Sequence, residues 1–377
     1  MPEIVVDEGR VRGLVLGAAL GDAAGVVRGR WPAEGPLRVG VGTQLAAFTI
    51  EGAIRASVRM SHKGICHAPS VVWHAYCRWA FLQGIEPARI AERWTRGGGG
   101  WPDGWLARVP ALRERRGSAP ATVAALTGLV PGSPTKPVTG SRGAHALTRG
   151  LALGLVHRLF GPTAGEVIRG TAALTHGAPD AQEAALGAAW LVSRCLAEDD
   201  PFRTWTASRP GDDHPVDALV RSLPAPHSAG PDVVLDLLKA PAAGPDPGQL
   251  AWIAPEATAS SALLGALLVV SRFPGRDTVD AALRFAAGAP DGSSVAATAG
   301  ALLGAAHGVD ALPVELLSRL ELAWVLDTLA RDLLQQYVDS PGGGEYVPAR
   351  DPHWWDRYPR GVTAGPRSSG WGVRGWL

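Results

Sequence analysis

The sequence has 377 residues, with 36 Lys and Arg against 35 Asp and Glu, for a formal net charge of +1. Charged residues make up 19% and hydrophobic residues 46%, which excludes a highly charged disordered chain and a globally basic nucleic-acid binder, and suffices for one large core. Three cysteines, Cys66, Cys77 and Cys195, spell out no disulfide framework and point to a reducing cytoplasm.

The first ten residues carry Glu3, Asp7 and Glu8, unlike the basic start of a secretory signal. Apolar residues then recur at three- and four-residue spacing over Leu14–Val27, Leu45–Val58, Val71–Leu82 and Leu147–Leu159, which predicts helices. The same spacing continues over Ala181–Leu196, Ala262–Val270, Val279–Ala287, Val295–Ala306 and Val314–Leu334. Two-residue alternation is nearly absent, so no major sheet is predicted. Pro179 before Asp180 and Glu183, and Pro313 before Glu315, have the pattern of helix starts, and Asp277 and Thr278 are candidate caps before Val279. Gly13–Gly25 and Ala296–Ala306 are dense in small residues, which lets helix backbones approach closely. Breakers gather at Gly97–Gly100, Pro131–Pro137, Pro241–Pro247 and Pro341–Gly344 without dividing the composition. This predicts one all-α domain over 1–340, a compact multi-helix orthogonal bundle, and an irregular tail over 341–377 carrying Trp354, Trp355, Trp371 and Trp376. The longest uncharged apolar runs, Ala257–Ser271 and Ser294–Val309, fall short of the ~20 residues needed to span a bilayer.

Among chemical motifs, Cys66/His67 and His74/Cys77 offer zinc-type ligands, but the spacing matches no finger or ribbon, and Val71–Leu82 reads equally as a core helix. Gly40-Val41-Gly42-Thr43 has neither the preceding strand nor the spacing of a phosphate loop. Asp291, Ser293 and Ser294 place oxygen atoms before a small-residue helix, where they suit a cap as well as an ion.

Taken in order, the blocks Gly13–Gly25, Thr43–Gly52, Ser141–Arg149, Ala173–Ala181 and Asp291–Pro313 resemble those of the ADP-ribosylglycohydrolase family, with Tyr76–Trp79 and Arg113–Gly117 between them. The resemblance implies an all-helical bundle whose active members hold two divalent ions, usually magnesium, between carboxylates. Gly40-Val41-Gly42-Thr43 stands where that family has Ser/Thr-Asp-Asp-Thr, Gly29 beside Arg28 stands at a glutamate, and Pro290-Asp291-Gly292-Ser293-Ser294 keeps the first aspartate of the late motif and loses the second. Asp22 is kept in the opening motif. Two dications need several anionic oxygens, so the expectation is no metal pair, no cofactor, and no metal-assisted hydrolysis. Arg28 adds repulsion if it points inward. The central loop keeps Gly143 and Arg149, His176 keeps the Thr-His position, and Ala144 and His145 depart from the pattern.

Two functions stay open, ahead of unchanged ADP-ribosyl hydrolase activity as a distant third. One is a ligand-binding protein of this family that takes a nucleotide, an ADP-ribose-like molecule or another small ligand through Gly143, His145, Arg149, His176, Ser293 and Ser294. The other is a repurposed metal-independent enzyme using Asp291, His145 and His176 for acid–base chemistry. A purely structural or regulatory role follows if side chains fill the cleft. The expected partner is a small molecule or nucleotide, with a protein as a second option, and no DNA and no membrane.

Overall fold

A computed structural model describes residues 5–95, 101–208, 212, 214–240 and 244–359. In chain order the helices are α1 (Glu8–Val26), α2 (Val41–Lys63), α3 (Ala68–Leu82), α4 (Pro87–Thr95), α5 (Pro120–Gly128), α6 (His145–Thr148) and α7 (Leu153–Phe160). They continue as α8 (Gly165–Ala173), α9 (Pro179–Cys195), α10 (Pro201–Ala207), α11 (Pro215–Ser222), α12 (Pro231–Lys239) and α13 (Pro247–Ile253). The last are α14 (Ala259–Arg272), α15 (Val279–Ala286), α16 (Gly292–His307), α17 (Val314–Leu317), α18 (Ala323–Val338) and α19 (Trp354–Arg357). Among the described residues there is no strand, only the isolated bridges Leu37–Leu320, Ser133–Lys136 and Gly143–Thr258. The architecture is the all-α one that the periodicity predicts.

The centre of the bundle is the antiparallel pair α1 and α16, joined along a seam of small residues. A Cβ built on Gly13, Gly17 or Gly21 would lie 2.2, 2.2 or 2.0 Å from the carbonyl oxygen of Gly304, Gly300 or Ala296. The four-residue period keeps these positions on one helix face, so the two backbones touch directly. Further along, Gly25 meets the backbone of Ser293, which fixes the start of α16 beside the second half of α1. α2, α9, α14, α15 and α18 surround this pair, and its faces join one continuous core.

Two predicted helices are interrupted. Leu147–Leu159 breaks after α6, at Arg149 and Gly150. Val314–Leu334 breaks between α17 and α18, where Leu37 donates to the Arg319 carbonyl at 2.8 Å and Glu321 donates to the Leu37 carbonyl at 3.0 Å. Those backbone groups are bonded across the fold instead of along a helix. The expected cap before α15 is also replaced: Thr278 Oγ1 donates to the Gly275 carbonyl at 2.7 Å and caps no amide. Pro179 stands at the start of α9 as expected.

The described part of the terminal segment packs on the body. Trp354 is buried and its Nε1 donates to Gln336 Oε1 at 2.8 Å, while Tyr358 donates its hydroxyl to Asp332 Oδ2 at 2.7 Å. Trp371, Trp376 and the Gly97–Gly100 breaker lie outside the described residues. Among the described residues no helix is long and apolar enough to cross a membrane.

Candidate functional site

Where α1, α2 and α16 converge, two carboxylates define the floor of a cleft. Gly40 precedes α2 and has no side chain to cap it, so Asp22 from α1 does so across the fold. Its Oδ2 accepts from Gly40 N at 2.9 Å, Thr43 N at 3.1 Å and Thr43 Oγ1 at 2.6 Å. A Cβ on Gly40 would meet Asp22 Oδ1 at 2.7 Å, so this approach requires glycine. Burial pushes the Asp22 carboxyl above its ordinary value, against the lowering effect of the Thr43 and Gly40 hydrogen bonds, and nearby Asp291 adds to the rise. Asp291 is the N-cap of α16, accepting from Ser294 N at 3.4 Å. Both helix N-termini therefore face the cleft through carboxylate caps.

The opposite wall is the segment 141–145, held to 257–259 by backbone bonds from Ala144 N to the Ala257 carbonyl and from Ala259 N to the Arg142 carbonyl. Gly143 lets this wall pass His176 closely, since a Cβ there would sit 3.2 Å from His176 Nε2. Behind the imidazole, Arg149 Nη1 donates to Thr175 Oγ1 at 2.6 Å, and Thr175 Oγ1 bonds His176 Nδ1 at 2.8 Å. With the guanidinium as obligatory donor, the Thr175 hydroxyl proton is free for Nδ1, which leaves the hydrogen on Nε2, the nitrogen beside Gly143. Burial, followed by Arg149 and His145, holds His176 well below its ordinary pKa. It is a neutral hydrogen-bond donor at pH 7.

His145 opens α6, and its ring makes no hydrogen bond to any described residue. Burial lowers its pKa to about 4, with Asp291 pulling upward and Arg149 downward. A neutral imidazole beside an aspartate can accept a proton from a bound ligand. Asp291, His145, His176, Gly143, Ser293 and Ser294 all line one cleft of about 650 Å³. Arg149 does not line it. It is fully buried, bonds Thr122, Thr175 and the carbonyls of Thr171 and Ala172, and lies 4.7 Å over the Tyr76 ring. Its place is behind His176, as a support.

Arg38, Arg115 and Arg116 bring positive charge to the rim. Arg116 pairs with Glu114 at 2.6 Å and also with Glu321, while Arg38 and Arg115 have no ion-pair partner among the described residues. Sequence reasoning did not single out these rim arginines, although Arg115 and Arg116 lie inside the Arg113–Gly117 block. No local signal marks Arg38 or Ala257, which chain folding alone brings to the cleft. Arg28, weighed as an inward charge, is exposed at the end of α1 and does not line the cleft.

The zinc-type residues are dispersed. Cys77 is buried and His74 Nδ1 accepts from Arg78 Nη1 at 2.8 Å, while Cys66 and His67 border a separate cavity of about 620 Å³. Burial pushes the Cys66 and Cys77 thiols up to about 11 and about 12, so neither supplies a thiolate near neutrality. Among the described residues no three His, Cys, Asp or Glu side chains are grouped as a metal site.

No curated protein matches the chain. A solved structure to which it is similar, an "ADP-ribosylglycohydrolase-related protein complex", shares 22% identity at a TM-score of 0.53, covering 87% of this chain and 98% of that one; this likeness bears on the fold alone. The family model of ADP-ribosylglycohydrolase matches residues 5–342, a span that contains α1 through α18 and every residue of the cleft. The chain belongs to the ADP-ribosylglycohydrolase family.

Proposed function

We propose that this cleft binds an anionic small molecule, a nucleotide or an ADP-ribose-like ligand, without a pair of divalent metal ions. The observation that carries this reading is the state of the two carboxylates. Asp22 and Asp291 are the only acidic side chains among the cleft-lining residues, and each is engaged as a helix cap. Magnesium gives up water only to several strong, well-placed oxygens. Two capping carboxylates, the hydroxyls of Thr43, Ser293 and Ser294, and a rim of three arginines do not fit two such ions. The same features favour an anion: helix N-termini, Arg38 and Arg115 with no ion-pair partner among the described residues, and the Nε2 hydrogen of His176 all present positive charge or donors.

A second reading, metal-independent acid–base catalysis, is favoured by the neutral His145 ring next to Asp291 and by the raised pKa of Asp22. In it His145 would take a proton and His176 would donate a hydrogen bond to developing negative charge.

A thermal-shift screen of ADP-ribose, other nucleotides and common phosphorylated metabolites, each with and without magnesium, tests the binding reading. A ligand at a hundred times its Kd stabilises the folded state by about 2.7 kcal/mol. The expected result is stabilisation that does not depend on magnesium. Stabilisation by ADP-ribose only when magnesium is present would restore the metal site and refute the proposal.

A further inference from the structure

The cleft does not end at its polar floor. Asp22, Gly42, His145, Ser293 and Ser294 border both the cleft and a deeper recess of about 40 Å³. The inner wall of the recess is apolar, made by Leu14, Val15, Ala46, Ile50, Leu151 and Leu326. Thr148 Oγ1 stands at its throat, on a residue 5% exposed, with no hydrogen-bond partner among the described residues. A buried hydroxyl without a partner costs stability unless something supplies one.

Water is a poor tenant here. An ordered water needs two to four polar partners, and a cavity lined by Leu, Ile and Ala offers them only at its mouth. An alkyl group loses nothing by entering. The throat is open because residue 42 is a glycine. A Cβ there would lie 3.6 Å from Thr148 Oγ1 and 3.9 Å from both Asp22 Oδ2 and His145 Cδ2, in the middle of the passage but at ordinary contact distance from every wall.

We propose that the ligand of this cleft carries a short alkyl group, about two to four carbons long, on a hydrogen-bonding oxygen or nitrogen. The alkyl group enters the recess, the heteroatom pairs with Thr148 Oγ1 at the throat, and the anionic part of the ligand remains toward the arginine rim. This rests on the reading of the cleft as a ligand site, and it narrows the ligand class to one with an apolar end.

The test uses probes without any anion, the n-alcohols from methanol to n-hexanol, titrated at millimolar concentration into protein with labelled alanine methyls. Ala18, Ala19, Ala46 and Ala297 line the recess and report occupancy directly. Affinity should climb about fourfold per methylene up to n-butanol and gain nothing further at n-hexanol. In Gly42→Ala the climb should vanish, with the melting temperature confirming a folded protein. Two results overturn the proposal: alanine methyls that do not respond to chain length, or the same climb in Gly42→Ala. Either leaves the nucleotide screen untouched, and a failed nucleotide screen leaves this titration interpretable, so the two ideas fail separately.

Discussion

Glu51 sits in the middle of α2 with no exposed surface, and its place there depends on two arginines. Arg55, one turn on, bonds it at 3.4 Å, and Arg78 from α3 pairs with its other oxygen. Asp103 completes the group, 2.6 Å from Arg55 and 3.3 Å from Arg78. Burial alone would raise the Asp103 pKa, but Arg78 and Arg55 carry it down to about 2. Two positive and two negative groups balance, and Gly104 at φ +84° passes close enough that a Cβ would meet Glu51 Oε1 at 2.7 Å. Replacing Glu51 by Gln leaves two buried guanidiniums facing one carboxylate, and breaking a buried pair in this way costs about 3–5 kcal/mol. The exposed pair of Arg221 and Asp232, with side chains 47% and 80% accessible, is the comparison: Arg221→Ala should change stability by less than about 1 kcal/mol. Urea denaturation of both variants checks the contrast, and equal losses would mean that the buried group is not a coupled unit.

The seam between α1 and α16 sets the geometry of the cleft, because it brings Asp22 alongside Asp291. At Gly17 an added Cβ would lie 2.2 Å from the Gly300 carbonyl oxygen, a backbone atom that cannot rotate away. Alanine gains about 1 kcal/mol of helix propensity over glycine, but here the helices must part, and overpacking of this kind costs about 1–3 kcal/mol or more. Gly17→Ala should therefore lower the melting temperature. Gly128, at the end of α5 with nothing within 4 Å of its built Cβ, should tolerate alanine or gain from it. This seam was readable in the sequence, since Gly13, Gly17, Gly21 and Gly25 recur every four residues and the late block carries small residues to match. The cleft walls were marked by the resemblance to the family's blocks, not by periodicity, since 141–144 and 257–258 lie outside the helices. Other elements were hidden. α10, α11, α12 and α13 each begin at a proline, where the missing N–H is not needed, so Pro247, which closes the Pro241–Pro247 breaker run, is a helix start. Arg149 was legible as a loop residue of the family but not as a buried support, because its direction depends on Tyr76, Thr171 and Thr175 from other elements. The recess behind Gly42 left no sequence signal, being space among five chain segments.

For the whole molecule, the histidines couple stability to pH in one direction. His67, His74, His145, His157, His176, His214 and His307 are each held below their ordinary value, with burial the first cause in every case. Above about pH 6.5 these rings are neutral in folded and unfolded chains alike, and they contribute no pH dependence. Below that value the unfolded chain takes up protons that the folded chain refuses, so stability falls as pH drops from about 6.5 toward 4, the folded value of His145. Asp22 works the other way, since its raised pKa lets the folded state bind a proton first, but it is one group. Counting only the three most deeply shifted rings, His74, His145 and His176, unfolding at pH 5.5 should consume about two to three protons from the histidines, and any proton that Asp22 releases subtracts from that number. Calorimetry in buffers of different ionisation enthalpy measures that number directly. An uptake near zero would mean that the cleft imidazoles are already charged in the folded protein. The cleft would then hold two further positive charges beside the arginine rim, His145 would have no lone pair to accept a proton, and the acid–base reading would fail while anion binding gained strength.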